Sequence, residues 1–188
     1  MMRLLTCTLM LALMAPRAFA EGMTDCSRAG AERMLCVEAD VPAGAREVWA
    51  LCAESDQLRT WMAPVAAIDL RPGGLMEAAY NPAGRLGDDA NVLNRVVALA
   101  PAQSLTIQVE RAPPGFPHPD EVRELQTMIE LTPVSDGVTR VRVSMTGYRE
   151  GAAYDELYAF FARGNAWTLQ KLHERIVRGP VDWTETQE

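Results

Sequence analysis

Residues 152–177 read AAYDELYAFFARGNAWTLQKLHERIV, and the fold turns on how this stretch is read. Its apolar positions recur at helical spacing, about 100° per residue. Tyr154, Leu157, Tyr158 and Phe161 fall on one face, continued by Asn165, Thr168, Leu169, Leu172 and Ile176. Arg163, Gln170 and Glu174 lie opposite, with Phe160 and Trp167 flanking the stripe. Gly179-Pro180 stops the helix, since proline cannot continue it and glycine favours a helix end. The spacing predicts one long amphipathic helix from about Ala152 to Val177, and such a helix needs a surface to cover.

The chain before it supplies that surface. Residues 33–41 alternate, with Leu35, Val37, Ala39 and Val41 on one face and Met34, Cys36, Glu38 and Asp40 on the other, as in a half-buried strand. Pro42 is read as opening a short helix, whose apolar face carries Val48, Leu51 and Cys52 and which ends near Glu54. A second short helix through Leu58 and Trp61 stops at Pro64. Six more strand-like segments follow, at about Val65–Leu70, Leu75–Tyr80, Val92–Ala98, Ser104–Val109, Leu125–Leu131 and Thr139–Met145. Turn signals such as Pro72-Gly73-Gly74, Asn81-Pro82, Pro113-Pro114-Gly115 and Asp136-Gly137 separate them. Most segments alternate as antiparallel strands with one solvated face do. The predicted class is α+β: a curved antiparallel sheet wrapped around a long C-terminal helix, with two short helices after the first strand. One helix cannot completely fill such a sheet, so a cavity is expected between them.

At the other end of the chain, Arg3, the apolar run Leu4 to Met14 and Ala18-Phe19-Ala20 form the three parts of a signal peptide over residues 1–20. The run is too short to cross a bilayer, which takes roughly 20 apolar residues. Residues 21–188 are then one domain, of a size that supports a single core, in a periplasmic or secreted protein. The leader holds two of the 18 basic residues and none of the 25 acidic ones, so the mature charge is −9. An acidic chain without a basic cluster is a poor partner for nucleic acid or an anionic membrane surface. No apolar run in the mature chain is long enough to span a membrane, and nothing identifies a protein partner.

Cys26, Cys36 and Cys52 remain after processing. An oxidising compartment permits one bridge. Cys36 lies on the strand face that the preceding segment can reach, whereas Cys52 falls on an apolar helix face. A Cys26–Cys36 disulfide with a buried Cys52 thiol is the expected pairing. With no C-x-x-C spacing and only His118 and His173 for imidazole ligands, no metal or other cofactor is expected.

Several short stretches, in order, resemble the START-like (SRPBCC) superfamily, closest to the branch related to the activator of heat-shock ATPase (AHSA-like). They are Val41-Pro42-Ala43 with Val48-Trp49 and Leu58-x-x-Trp61, then Asp69-Leu70-Arg71-Pro72-Gly73-Gly74. Glu130-Leu131-Thr132-Pro133 and Gly137-Val138-Thr139-Arg140-Val141 follow, and Thr146-Gly147-Tyr148 stands where the branch has a His-x-Gly-aromatic turn. The resemblance covers roughly residues 33 to 178. It implies a helix-grip (START/Bet v-like) fold of six or seven strands, with a hydrophobic cavity beneath the last helix. Relatives with this fold include lipid carriers, hormone-binding proteins and aromatic polyketide cyclases, so fold alone does not settle function. In the branch's final helix Gly-Trp commonly precedes two leucines. Here Gly164-Asn165 precedes Leu169 and Leu172, which puts an amide at the position of the indole.

Candidate ligand-binding residues follow from these placements: Trp61, Tyr80, Phe116, His118, Tyr148, Phe161 and Asn165. Asn165 is either a polar anchor in an apolar pocket or a structural amide bonded to strand backbone or water. The proline-braced stretch Ala112 to Asp120 is either a lid bearing Phe116 and His118 or a plain surface loop. Trp61 is core or cavity wall. No catalytic residue is assigned: His118 has no identifiable orienting partner, and no nucleophile motif is present. Asp88-Asp89 with Asn91 lacks the ordered spacing and terminal Glu of a calcium loop, and reads as a turn.

Three functions fit: an exported binder or carrier of a small apolar or amphipathic molecule, a cyclase- or aromatase-type enzyme using the same cavity, and an envelope interaction module without ligand. Paired titratable groups in the cavity would favour the enzyme. An apolar cavity favours the carrier, and a cavity filled by its own side chains the interaction module. Cleavage after Ala20 is expected on export, and intact-mass analysis of exported protein should find a chain beginning at Glu21. A full-length chain retained in the cytoplasm would refute this.

Overall fold

The computed structural model describes residues 22–29 and 32–184, so the expected signal peptide at residues 1–20 lies outside the described residues. The expected strand at residues 33–41 forms as β2 (Leu35–Val41). Its outer edge is covered by a three-residue strand, β1 (Met23–Asp25), which is too short and polar for alternation to reveal. The chain then leaves β2 through α1 (Ala45–Ala53) and α2 (Ser55–Leu58). It re-enters the sheet at the far edge as β3 (Val65–Ile68) and returns through β4 (Leu75–Ala79), β5 (Val92–Ala100), β6 (Ser104–Arg111), β7 (Gln126–Ser135) and β8 (Val138–Thr146). A 3₁₀ turn at Glu121–Glu124 leads into β7. Helix α3 (Ala152–Arg178) closes the fold. All pairings are antiparallel, in the order β1-β2-β8-β7-β6-β5-β4-β3. This is the expected helix-grip architecture, with eight strands among the described residues instead of six or seven.

Two local expectations need correction. Pro42 does not begin α1: Ala43 turns back to donate to the Val41 carbonyl, and the helix starts after Gly44. Trp61 is not helical either, because α2 ends at Leu58. Its indole N–H donates to the Leu51 carbonyl at 2.8 Å, tying the turn after α2 to α1.

The centre of the sheet shows how alternation becomes packing. Leu35, Val37, Ala39 and Val41 of β2 stand opposite Met145, Val143, Val141 and Thr139 of β8, and all eight are buried. On the other face Asp40 pairs with Arg140, and Glu38 with Arg142, each at 2.8 Å. Exposed pairs of this kind contribute only about 0.2–1 kcal/mol. Their main effect is on register, since a slip of one residue would bury charges and expose the apolar set.

Helix α3 lies on the β2–β8 side of the sheet. At its N-terminal end Tyr154 and Leu157 join Leu35, Val122, Leu125, Met145 and Tyr148 in one core cluster. At its C-terminal end Leu169 and Leu172 join a larger cluster with Val48, Leu51, Trp61, Val141 and Val143. A third, smaller cluster of Leu58, Ala63, Ala66, Met76 and Ala78 sits under the far edge of the sheet. Beyond the helix, the Val181 N–H donates to the Thr60 carbonyl, and the Trp183 indole donates to that of Arg59.

Both edge strands are tied to their surroundings. At β3 the Arg59 guanidinium donates to the Ala66 carbonyl at 2.9 Å, and the Ile68 N–H donates to the Ser55 hydroxyl at 3.0 Å. At the opposite edge Cys26 and Cys36 are joined by a disulfide, with Cα atoms 4.8 Å apart, and Cys52 is a buried free thiol. The Ser27 hydroxyl accepts from the Cys36 N–H at 2.9 Å, reinforcing the tether. Replacing both Cys26 and Cys36 with Ala should lower unfolding stability by up to about 3 kcal/mol, the loop-closure value for a span of this length, with the far-ultraviolet spectrum of the sheet retained. Gly147 has φ +97, and an added Cβ would collide with the Glu124 carbonyl oxygen. Gly147→Ala should therefore destabilise by about 1–3 kcal/mol in denaturant titrations.

Candidate functional site

The two main core clusters hold α3 near its ends, and between them its middle turns do not reach the sheet. The gap is a cavity of about 550 Å³. Its roof is α3, through Phe160, Phe161, Asn165 and Thr168, and its floor is the concave face of β4 to β8. Met76 and Ala78, Ile107 and Val109, Ile129, and Val143 and Met145 make that floor largely apolar. Buried Cys52, Leu58 and Trp61 line the side nearest α1 and α2. Lining residues become exposed at Tyr80, Asn81, Ala90 and Phe160, which mark the mouth. Tyr80, at 61% exposure, is the most open of the large lining side chains.

Polar groups in the cavity are few and uncharged. Asn94 of β5 and Thr127 of β7 face it from the floor, and Asn165 and Thr168 from the roof. Asn165 is 9% exposed, and its side-chain N–H donors have no hydrogen-bond partner among the described residues. A buried amide left unpaired costs about 1–3 kcal/mol. Neither a lysine, arginine, histidine, aspartate nor glutamate is among the lining residues described. Cys52 is ionisable, but burial pushes its thiol up to about 12, so it remains protonated near neutrality.

The loop between β6 and the 3₁₀ turn forms one side of the mouth. Pro113 and Phe116 line the cavity. The Phe116 ring meets Phe160 edge-on at 5.2 Å and lies 6.2 Å from Phe161, while Phe160 and Phe161 pack edge-on at 5.2 Å. Such aromatic pairs add about 0.5–1.5 kcal/mol each beyond burial of their area. On the facing side, the β4–β5 loop is fixed by buried Asn91. Its amide donates to the Glu77 carboxylate at 2.6 Å and the Arg85 carbonyl at 2.7 Å. The Asp88, Asp89 and Asn91 stretch is thus a braced turn, and no cluster of three metal-ligating side chains occurs among the described residues.

Of the seven residues singled out from sequence, Trp61, Tyr80, Phe116, Phe161 and Asn165 all line this one cavity. His118 and Tyr148 do not. His118 adopts φ 50 and turns outward, with Nε2 2.8 Å from the Glu156 carboxylate on α3. It fastens the loop to the outside of the helix and contributes nothing to the lining. Tyr148 is turned away by the positive φ of Gly147. It packs edge-on against Tyr158 at 5.1 Å in the N-terminal core cluster, and the Arg33 guanidinium stacks over Tyr158 at 4.2 Å. Burial, then the nearby Tyr158 phenol, pushes the Tyr148 phenol well up. Sequence reasoning missed Asn94 and Thr127, because polar strand residues give no sign of facing inward. It also passed over Thr168 and Phe160, both within reach of the helical spacing.

The family model for activator of Hsp90 ATPase homolog 1-like proteins matches residues 42–176. Among curated proteins, no sequence match reaches significance. Among solved structures, the chain is similar to the Aha1 dimer from Colwellia psychrerythraea, with 16% identity, a TM-score of 0.61, and coverage of 78% of this chain and 97% of that one. It is similar to CalU16 from Micromonospora echinospora, at 17% identity and a TM-score of 0.56, over 85% of this chain and 84% of that one. DynU16, from the dynemicin biosynthetic locus, matches at 17% identity and a TM-score of 0.59, over 78% of this chain and 48% of its own. At such identities the likeness establishes the fold. The family match spans well over half of the sequence, and the chain belongs to the activator of Hsp90 ATPase homolog 1-like family, within the START-like superfamily.

Proposed function

We propose that this protein is an exported binder or carrier of a small hydrophobic or amphipathic molecule, held between the sheet and α3. The observation that carries this reading is the cavity: about 550 Å³, largely apolar, and left open by side chains that pack at both ends of the helix. Open apolar volume is costly to a fold in proportion to its size, and an occupant recovers part of that cost as affinity. Burying roughly 400 Å² of apolar ligand at about 25 cal/mol per Å² gives about 10 kcal/mol gross. Association costs of roughly 4–15 kcal/mol leave micromolar binding within reach.

Export is supported by the pattern over Arg3 to Ala20 and by the Cys26–Cys36 disulfide, which persists in oxidising compartments. An exported chain would meet neither cytosolic ATP nor the ATPase for which the family is named, so the domain serves as a binding scaffold. A catalytic reading draws on DynU16, which comes from a biosynthetic locus. Acid–base catalysis would need a positioned group that exchanges protons near neutrality. The protonated Cys52 thiol and neutral amides and hydroxyls along the described lining favour binding over chemistry.

Purified mature protein should take up the neutral, environment-sensitive dye Nile red with a blue-shifted, enhanced emission. Asn165→Trp should fill the space beside Phe161 and abolish uptake, with thermal stability unchanged or raised. Were Asn165 a packed structural amide, the same change would overpack the core and cost about 1–3 kcal/mol. Lower stability with dye uptake unchanged would place the dye elsewhere and refute this cavity as the binding site.

A further inference from the structure

We infer that the ligand is an uncharged molecule whose hydrogen-bond acceptor, a carbonyl-type oxygen, is buried against the side-chain amide of Asn165. The inference rests on the cavity being a ligand site and adds what that site selects.

Three observations converge. The first is the orphan donor. Asn165 is nine-tenths buried on the roof of the cavity, and its Nδ2 has no partner among the described residues. A site with a buried donor discriminates against a ligand that leaves it unpaired, because the desolvation cost of that donor is then never recovered. A bare hydrocarbon leaves it so. An oxygen acceptor that the amide turns to meet removes the penalty.

The second observation is depth. Asn165 lies one helical turn along α3 from Phe161 and is buried, whereas Phe161 is half-buried and stacks with exposed Phe160 and with Phe116 at the mouth. A soap-like molecule with its head in water and its alkyl tail inside would set that tail against the amide. The acceptor must lie within the body of the ligand that the cavity encloses.

Charge is the third. The polar side chains on the lining, Asn94, Thr127, Asn165 and Thr168 inside and Tyr80 and Asn81 at the mouth, are neutral, and no cationic side chain is among the lining residues described. A carboxylate drawn inside would lose its hydration without gaining a counter-ion. The chain carries a formal charge of −7, or −9 without residues 1–20, which further opposes entry of an anion. Size sets a bound as well. At an interior packing density of about 0.75, the 550 Å³ cavity accommodates up to roughly 25 bonded carbon-sized atoms.

A matched set of probes tests the inference by displacement of Nile red: benzophenone, diphenylmethane and diphenylacetate. Benzophenone should bind on the order of tenfold tighter than diphenylmethane, as one buried hydrogen bond allows. Diphenylacetate should be the weakest of the three. Asn165→Leu should lose most of the ketone's advantage over diphenylmethane, with each displacement corrected for the variant's own affinity for the dye. Should that variant fail to fold, the carbonyl stretch of benzophenone bound to the natural protein serves in its place. It should shift to lower frequency than in hexane, as a hydrogen-bonded ketone does. Equal affinity for ketone and hydrocarbon, an advantage that persists in Asn165→Leu, tightest binding by diphenylacetate, or an unshifted carbonyl band would each overturn the inference while leaving the cavity reading intact. Absence of dye uptake and of binding by any probe would overturn both.

Discussion

A straight helix of 27 residues, about 40 Å long, lies across a sheet whose strands rotate steadily beneath it. Contact along the whole length is geometrically unavailable to such a pair. Here the helix is seated near its two ends, on Tyr154 and Leu157 at one and on Leu169 and Leu172 at the other. The two seats sit on opposite sides of one gap, and the same leucines that stabilise the helix fix the height of the roof above the floor. The cavity is therefore a product of the best-packed parts of the molecule. Its volume is set by rigid elements, which favours a pocket formed in advance over one that a ligand must open.

The mouth is organised differently from the interior. Its two sides are loops, and each is fastened by a few contacts. The proline-rich loop is held by the Phe116 stack on the inside and the His118–Glu156 pair on the outside. The facing loop is held by Asn91, Glu77 and Arg85. Local opening draws on the least stable contacts of a fold, and surface aromatic and ionic contacts are weaker than buried leucine seats. The first loop is thus the side of the mouth whose opening would leave the sheet register untouched.

Most of the architecture was legible in the sequence, for reasons that can be given residue by residue. The spacing of Tyr154 to Ile176 and the alternation in β2 and β8 are direct images of burial, so the long helix and the central strands could be read. Asn165 was legible because a polar residue stood on an apolar face at the right spacing. The positions of Tyr148 and His118 were not, since both depend on positive φ angles at or beside them, at Gly147 and at His118 itself. Floor residue Asn94 was hidden by a different cause. In β5 the pairing with β6 shifts register on either side of Asn94 and Val96, so alternation counted along the chain does not say which side faces in. Strand β1 escaped because three residues are too few to show a period, although Cys26 pointed to that segment.

The edges of the sheet bear on how these molecules behave toward one another. An open edge offers a row of unpaired N–H and C=O groups, and another chain can add a strand to it. At one end of this sheet the edge strand is three residues long and is stitched down through Cys26 and Cys36. At the other end Arg59 and Ser55 occupy the free carbonyl of Ala66 and the free N–H of Ile68. An eight-stranded sheet with these edges is poorly suited to growing by strand addition. The disulfide and two side chains of the α2 segment therefore bear on solubility at high concentration as well as on the stability of a single molecule.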